Sequence, residues 1–299
     1  MKVLVTGGAG FIGSHTVDLL IKEGYQLVIV DNLKTGKIIN KAAEFYQMDI
    51  CSEDLEQVFE KEKPESVIHL AAQISVQDSQ SDPYTDAQIN IMGTINVLNN
   101  CIKHKVRKIV FSSSAAVYGK PQHLVLDEKH STVPLAFYGL SKLTAEYYLK
   151  MYAEIFGLRY TILRYSNVYG INQKLSGEGG VVAIFIDNLF NNKAPTIFGT
   201  GEQTRDFIYV SDVAKANLYA LSTGDDEVLN ISTNTAITIN DLLAIIRSIF
   251  KKDMACLYGP KKEGEILHSV LCNNKAKELL KWEPAYSLIG GLEEIVENL

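Results

Sequence analysis

The sequence predicts an α/β chain built on a doubly wound parallel sheet, with a smaller lobe at its C-terminal end. Three observations carry this. The stretch Met1–Asp31 reads as strand, glycine turn, helix, strand and acid, in that order. Short apolar runs then alternate with helical patterns as far as about residue 170, and such alternation builds a parallel sheet with helices on both faces. Beyond Ile171 the texture changes to short runs broken by glycine and proline, in keeping with a second, differently built lobe.

Val3–Thr6 is the first apolar run, followed by Gly7, Gly10 and Gly13. Phe11, Ile12, Thr16, Leu19 and Leu20 keep a helical period until Gly24, and Leu27–Val30 is the next strand. In a Rossmann-like turn of this kind Gly7 allows the tight bend. Gly10 lets backbone approach a pyrophosphate, and Gly13 lets helix and sheet pack closely. The free N–H groups of the helix start, at Phe11, Ile12 and Gly13, face the phosphates. Asp31 lies 21 residues after Gly10, where the acid that binds an adenosine ribose is expected. A carboxylate there repels a 2′-phosphate, and Asn32 brings no positive charge, so the expected cofactor is NAD.

The chain has 299 residues, 46% hydrophobic and 21% charged, with a net charge of −6. Such a balance argues against a broad nucleic-acid surface. Cys51, Cys101, Cys256 and Cys272 are scattered without a CxxC pair, which predicts buried free thiols and no metal site. No apolar run approaches the ~18 residues of a membrane span, and the first strand begins at once, without a signal-peptide pattern. The expectation is a soluble cytoplasmic protein.

After Asp31 the polar turn NLKTGK is placed to close over an adenosine. Phe45–Ile50 is a strand ending near Asp49, whose carboxylate suits an adenine amino group or a loop cap. Glu53–Lys61 is a helix, and Ser66–Leu70 a strand followed by Ala71, Ala72 and Gln73, small enough to let a cofactor pass. Asp86–Lys105 has long helical periodicity. Asn90 on its inner face suits a backbone-bonding role, with cofactor contact as the alternative. Lys108–Phe111 is a strand running into Ser112, Ser113 and Ser114. Tyr138 and Lys142, four apart at the start of a helix reaching about Phe156, share a face. An ammonium beside a phenol lowers its pKa from the usual value near 10. The pair therefore reads as a general base for an alcohol, with Ser114 in the same hydrogen-bond system.

Arg159–Arg164 is the next strand and runs into Tyr165, Ser166 and Asn167. Beyond it, Gly177, Gly179 and Gly180 lead into a helix over Val181–Asn191. Val228–Ile231 resembles a strand of the main sheet. The organisation expected is a dinucleotide-binding domain over 1–170 and a substrate lobe over 171–299, partly interleaved with it. Arg205, Lys261 and Lys262 are the candidates for gripping a diphosphate.

The segments TGGAGFIG, DNL, HLAAQ, FSSSAAVYG, YGLSK, LRYSNVYG and GEQTRDFIYVSDVA resemble the extended short-chain dehydrogenase/reductases over nearly the whole chain. Within them the sequence is most similar to the UDP-glucose 4-epimerase branch. The resemblance implies a catalytic set of Ser114, Tyr138 and Lys142. It implies NAD contacts from the Gly7–Gly13 loop, Asp31, Asn32, Asp49, Ile50, Leu70, Ala71, Ala72, Gln73, Asn90, Ser112 and Tyr165, besides Tyr138 and Lys142. It implies nucleotide-sugar contacts from Ser114, Asn167, Val181, Thr196, Ile197, Phe198, Arg205, Lys262, Glu265 and Ser269. Three positions depart from the branch: Ser166 where Phe is frequent, Lys262 where Arg is usual, and Glu265 for Asp. Lysine lacks the planar fork that holds phosphate bidentately. Related dehydratases and decarboxylases place acids where this chain has Ala115 and Ala116, so the resemblance favours epimerisation of UDP-glucose and UDP-galactose, extended to their N-acetylated counterparts if Ser269 borders the sugar 2-position. Another NAD-dependent nucleotide-sugar enzyme and a non-catalytic NAD-sensing scaffold are the alternatives. A homodimer through the helices of Asp86–Lys105 and Tyr138–Phe156 follows from the same resemblance.

Overall fold

The structure, a computed structural model, describes residues 1–173, 180–261 and 266–299. The predicted opening is present: β1 (Lys2–Thr6), α1 (Phe11–Lys22) and β2 (Gln26–Asp31). β3 (Glu44–Gln47), α2 (Leu55–Glu62) and β4 (Ser66–His69) follow. The third strand stops at Gln47, so Asp49 and Ile50 sit in the loop beyond it, not on the strand. The long periodic stretch is not one α-helix. α3 (Val76–Ser81) and α4 (Pro83–Ala87) lead through a π-helical turn over Gln88–Gly93 into α5 (Thr94–Lys103). A π-turn keeps the apolar face but advances it by one extra residue, so sequence periodicity does not register it.

β5 (Lys108–Ser114) extends through all three serines. α6 (Phe137–Phe156), β6 (Arg159–Tyr165) and β7 (Asn167–Tyr169) come next. The remainder comprises α7 (Val181–Phe190), β8 (Thr196–Phe198), β9 (Thr204–Arg205), β10 (Phe207–Tyr209), α8 (Val210–Ala220), β11 (Glu227–Ile231), β12 (Ile237–Thr238), α9 (Ile239–Phe250), β13 (Leu257–Gly259), β14 (His268–Ser269), α10 (Asn274–Leu280) and α11 (Leu288–Glu297).

Seven parallel strands form the main sheet in the order β11-β6-β5-β4-β1-β2-β3. Successive residues of a strand face opposite sides, and the two core clusters show it directly. Val3, Val5, Leu27 and Ile29 pack on one face with Val17, Leu20, Val213 and Ala216 of α1 and α8. Leu4, Val28 and Val30 pack on the other with Val58, Val97, Leu98 and Ala145 of α2, α5 and α6. The sequence boundary at 170 is therefore crossed twice. β11 adds an edge strand to the sheet, and α8 covers the face shared with α1. A third cluster, built from α7, α9, α11, β8 and β10, is the core of the smaller lobe.

Candidate active site

The switch point of the sheet lies between β1 and β4, where the chain order reverses, and ligands of open α/β sheets bind at such a point. A cleft opens there along the carboxyl ends of the strands. Its walls include Gly7, Gly10, Phe11, Ile12, Gly13, Asp31, Asn32, Asp49, Ile50, Leu70, Ala71, Ala72, Gln73, Ser112, Tyr138, Lys142 and Tyr165.

The glycine loop explains its own composition. Gly7 has φ +69°, and a Cβ there would stand 2.6 Å from the Ala71 amide nitrogen. Gly13 is different from expectation: a Cβ there would meet Gly7 O at 2.0 Å and Gly8 Cα at 2.8 Å. The close packing it permits is between the helix start and the loop's own backbone, not between helix and sheet. At Gly10 a Cβ would meet only Gly7 O, at 3.1 Å. α1 starts with no side-chain cap and no acidic residue in its first turn, so its first N–H groups face the cleft without a protein carboxylate competing for them. Asp31 ends β2, is 8% exposed and accepts backbone N–H groups from Ala9 at 3.0 Å and Leu33 at 2.8 Å. Burial raises its pKa, against those two hydrogen bonds. The Asn32 amide donates to Asp49 at 2.8 Å, and the Cys51 N–H donates to the other Asp49 oxygen at 2.9 Å. Burial opposes ionisation of Asp49, yet these bonds and Lys34 together lower its pKa. The NLKTGK turn folds back on the glycine loop, with Ile38 N–H donating to Ala9 O at 3.2 Å, and Lys34 and Thr35 join the cleft wall. An uncapped helix start, a glycine without a Cβ and a carboxylate at the end of β2 on one wall are the donor and acceptor set a dinucleotide needs, so the residues fit NAD.

Deeper in the cleft stand the groups with chemistry. Lys142 is buried, donates to the Ser112 carbonyl at 2.8 Å, and lies 4.9 Å from the centroid of the Phe111 ring. Burial lowers its pKa to about 8, against the raising charges of Asp86 and Glu146. Tyr138 is half-buried on the first turn of α6. The expectation that Lys142 lowers its phenol pKa is not met. Burial raises it and Asp86 adds to that, while Ser114 alone pulls it down. The Lys142 ammonium is hydrogen-bonded to the Ser112 carbonyl, not to the phenol. Ser114 ends β5 and accepts the Ala116 N–H at 3.2 Å.

Asn90 takes the structural role. It is 2% exposed; its amide donates to Gln73 O, Asp86 and Ser141, and its carbonyl accepts the Gln73 N–H. With both ends bonded inside the protein, it is not a cofactor-facing group. Tyr165 is buried and donates to Asn217 at 2.7 Å, so its ring, not its hydroxyl, meets the cleft. Three cysteines also differ from expectation: all four are free, but only Cys101 is fully buried. Among the described residues no cluster of His, Cys, Asp or Glu suits a metal.

The described residues expected on the sugar side, Ser114 apart, come from four short strands and the start of α7. Asn167, on β7, donates its amide to Asp206 O at 3.1 Å. Val181 opens α7. Thr196 and Phe198 flank Ile197 on β8, and Ile197 is 2% exposed in the lobe core, so its side chain is packing, not contact. Arg205 on β9 is the register partner of Ser269 on β14. Two positions far apart in sequence thus lie side by side. Lys262 and Glu265, like Gly177 and Gly179, lie outside the described residues.

The sequence reading missed the layer behind the site. Glu146 is 0% exposed and accepts a bidentate pair from Arg164, at 2.9 and 2.6 Å, and the Ser113 hydroxyl at 2.5 Å. The spacing Lys142–Glu146, one helical turn, was its available signal.

A model of the NAD dependent epimerase/dehydratase family matches residues 3–232. A UDP-glucose 4-epimerase of Thermotoga maritima, solved with UDP-glucose, superposes with a TM-score of 0.98 at 45% identity, covering 99% of this chain and 98% of its own. A UDP-N-acetylglucosamine 4-epimerase of Methanobrevibacter ruminantium, in complex with UDP-N-acetylmuramic acid, gives 0.94 at 36% identity, covering 99% and 97%. A UDP-glucose 4-epimerase of Thermus thermophilus in complex with NAD gives 0.94 at 36%, covering 99% and 98%. With this family model over most of its length, and with the glycine loop, Asp31 and the Tyr138–Lys142 pair in one cleft, the chain belongs to the NAD dependent epimerase/dehydratase family.

Proposed function

We propose that this chain inverts C4 of UDP-glucose and UDP-galactose through a transient 4-keto sugar. The observation that carries the reading is the meeting of Tyr138, Lys142 and the serine-ended strand β5 at the wall of the glycine-loop cleft. NAD, when bound, accepts a hydride from the sugar and gives it back. Asp31 holds the adenosine ribose and the start of α1 the pyrophosphate. Asn32, Asp49 and Ile50 bound the adenine end, and Leu70–Gln73 and Tyr165 line the path to the reacting end. The Tyr138 oxygen takes the proton of the sugar 4-hydroxyl and later returns it. Ser114 favours the phenolate form, and Lys142 supplies positive charge from its seat on the Ser112 carbonyl. Tyr138 therefore acts first as base and then as acid on the same oxygen, a role in which such groups give typically ~10²–10⁴-fold.

The smaller lobe holds the nucleotide while the sugar turns. Arg205 grips the diphosphate, Asn167, Val181, Thr196 and the Phe198 ring bound the uridine side, and Ser269 borders the sugar 2-position. Ala115 and Ala116 open the 3₁₀ turn after Ser114. Neither carries a proton to exchange, which disfavours elimination or decarboxylation. Ser269 leaves room for an N-acetyl group, so UDP-GlcNAc and UDP-GalNAc are substrates too. Incubation with a panel of UDP-sugars, followed by NMR, tests the reading. It expects both C4 epimers from UDP-galactose, and dehydrated or decarboxylated products in their place would overturn it.

The protein works as a homodimer in the cytoplasm. Leu140, Tyr147, Met151 and Ile155 are exposed along one side of α6, with Met92 exposed on the neighbouring π-turn; such an apolar stripe suits a helix bundle made with a second copy. Four free thiols suit a reducing compartment. Light scattering should give twice the chain mass, and half that for Met151→Asp with Ile155→Glu.

A further inference from the structure

Behind the Tyr138–Lys142 pair lies an acid that the proposed chemistry does not use. Asp86, in α4, is 1% exposed. It accepts the Gln73 amide at 3.2 Å and the Asn90 amide at 3.1 Å on one oxygen. Ser141 lies beside it, accepts the Asn90 amide at 3.1 Å, and donates to the Tyr138 carbonyl at 3.1 Å. Gln73 is on the cleft wall, while Ser141 is on α6, between Tyr138 and Lys142. The carboxylate therefore sits in the seam between the cofactor cleft and the helix that carries the reacting pair, held by neutral donors.

We propose that Asp86 is a positioning residue whose buried negative charge sets the pH window of the Tyr138–Lys142 pair. The proposal rests on the epimerase reading for its kinetic test. Its electrostatic partners are Tyr138 and Lys142, both on α6. The other charged or titratable groups around that pair are Glu146 on α6, Arg164 on β6, His69 on β4 and, on the cleft wall, Asp78 of α3. Glu146 is neutralised by its bidentate bond to Arg164. His69 sits between the hydroxyls of Thr6 and Thr94, and burial, then Lys142, hold it neutral by lowering its pKa to about 3. Asp86 has no such counterpart in hydrogen-bond contact; its attraction acts across the site on Lys142, raising the ammonium pKa, and its repulsion raises the Tyr138 phenol.

The sign follows. Asp86→Asn keeps an acceptor oxygen for Gln73 and Asn90 but removes the charge. Both the phenol and the ammonium then lose their protons more readily. In the NAD⁺-loaded enzyme the nicotinamide cation would lower the phenol, so Tyr138 sets the acid limb of kcat and Lys142 the alkaline limb. Both should move to lower pH by about one unit, the scale on which a nearby charge shifts a titrating group. Loss of a merely structural residue lowers kcat without moving either limb. The test is the pH profile of UDP-galactose turnover for the wild type, Asp86→Asn, Asp86→Glu and the exposed control Asp82→Asn, which keeps a cap for α4. It is paired with an ultraviolet titration of phenolate, subtracting the matching Tyr138→Phe protein, which needs no turnover. If no UDP-hexose is turned over, the substrate reading falls and the phenolate titration still decides on Asp86. Asp86→Glu retains the wild-type limbs whatever its kcat, and carries the test if the amide variant does not fold. Unmoved limbs and an unmoved phenolate titration in Asp86→Asn overturn the proposal, as does an equal shift in Asp86→Glu or Asp82→Asn.

Discussion

The two walls of the active site are built by opposite means. The cofactor wall stands on the ends of four- to seven-residue parallel strands, packed on both faces, with its residues fixed by ladder and core. The proposed sugar wall stands on strands of two or three residues drawn from four distant stretches. Short two- and three-residue ladders pair each of them with a neighbour, and one buried side chain adds to the ties. Asp206, 0% exposed between β9 and β10, accepts the Thr233 N–H and hydroxyl and the Asn234 N–H at 2.8–3.0 Å, and the Leu271 N–H at 3.4 Å. Its own carbonyl accepts Asn167 from backbone and side chain. Long ladders give a wall whose residues are fixed in place by the sheet. Clamped short strands give one that can be re-cut by a single substitution without disturbing the sheet.

The largest expected effect falls where the walls meet. Tyr138→Phe removes only a hydroxyl from a half-buried ring, so far-UV circular dichroism and bound NAD should be unchanged. Turnover should fall by ~10²–10⁴-fold. A variant that keeps wild-type kcat would transfer the proton to another group.

Next comes the rigidity of the cofactor wall. Gly13→Ala puts a methyl 2.0 Å from Gly7 O. Backbone cannot step aside as a side-chain end does, so overpacking of about 1–3 kcal/mol is expected, together with loss of co-purifying NAD. Thermal unfolding and release of nucleotide on denaturation check both. An unchanged melting temperature would mean that the loop is softer than its contacts suggest. On the sugar wall, Arg205→Ala should leave the melting temperature and bound NAD in place and raise KM by roughly tenfold or more, the worth of a hydrogen bond to a charged group. A fall in bound NAD would show that the walls are not separable.

The pH dependence belongs to the shared centre. Burial holds the Lys142 pKa down at about 8. The ammonium is the form that supplies charge beside the phenolate, so its contribution is present below that pH and lost above it. Turnover should decline as pH rises through about 8, a limb that Lys142→Met abolishes along with most of the activity.

The same contrast decides what was legible in the amino-acid sequence. Gly7, Asp31 and Ser112 were legible because each is fixed by its offset from a strand end, and strand ends follow from apolar runs; Tyr138 and Lys142 were legible from their four-residue spacing at the start of a helix. Gly13 was found with the wrong partner, since only three-dimensional closure puts Gly7 O against it. Asn90 was legible as a backbone-bonding residue from its place on an inner helix face, whereas Asp86, in α4 before the π-turn, was not singled out because the turn breaks the helical period between it and α5. Glu146 and Arg164 are 18 residues apart and meet only because α6 and β6 are antiparallel neighbours in space. On the sugar wall, Arg205 and Ser269 were named separately, and the register that joins them depends on pairing across 64 residues, which no local pattern encodes.

That register gives the smallest and most specific prediction. In a parallel pair, register partners present their side chains to the same face, so a change at Ser269 is felt beside Arg205, the residue proposed above to grip the diphosphate. Ser269 is half-buried and small. Ser269→Tyr fills the space beside the 2-position without touching the cofactor wall. Turnover of UDP-GlcNAc should fall by roughly tenfold or more, the scale of discrimination by one added group in a pocket, while UDP-galactose turnover and melting temperature stay near wild type. If both sugars suffer equally, the new ring is obstructing the diphosphate and the position reports on Arg205. If neither suffers, the 2-position is bounded by another residue. Only the selective loss joins the register pair to sugar choice, because the clash exists for the N-acetyl group alone.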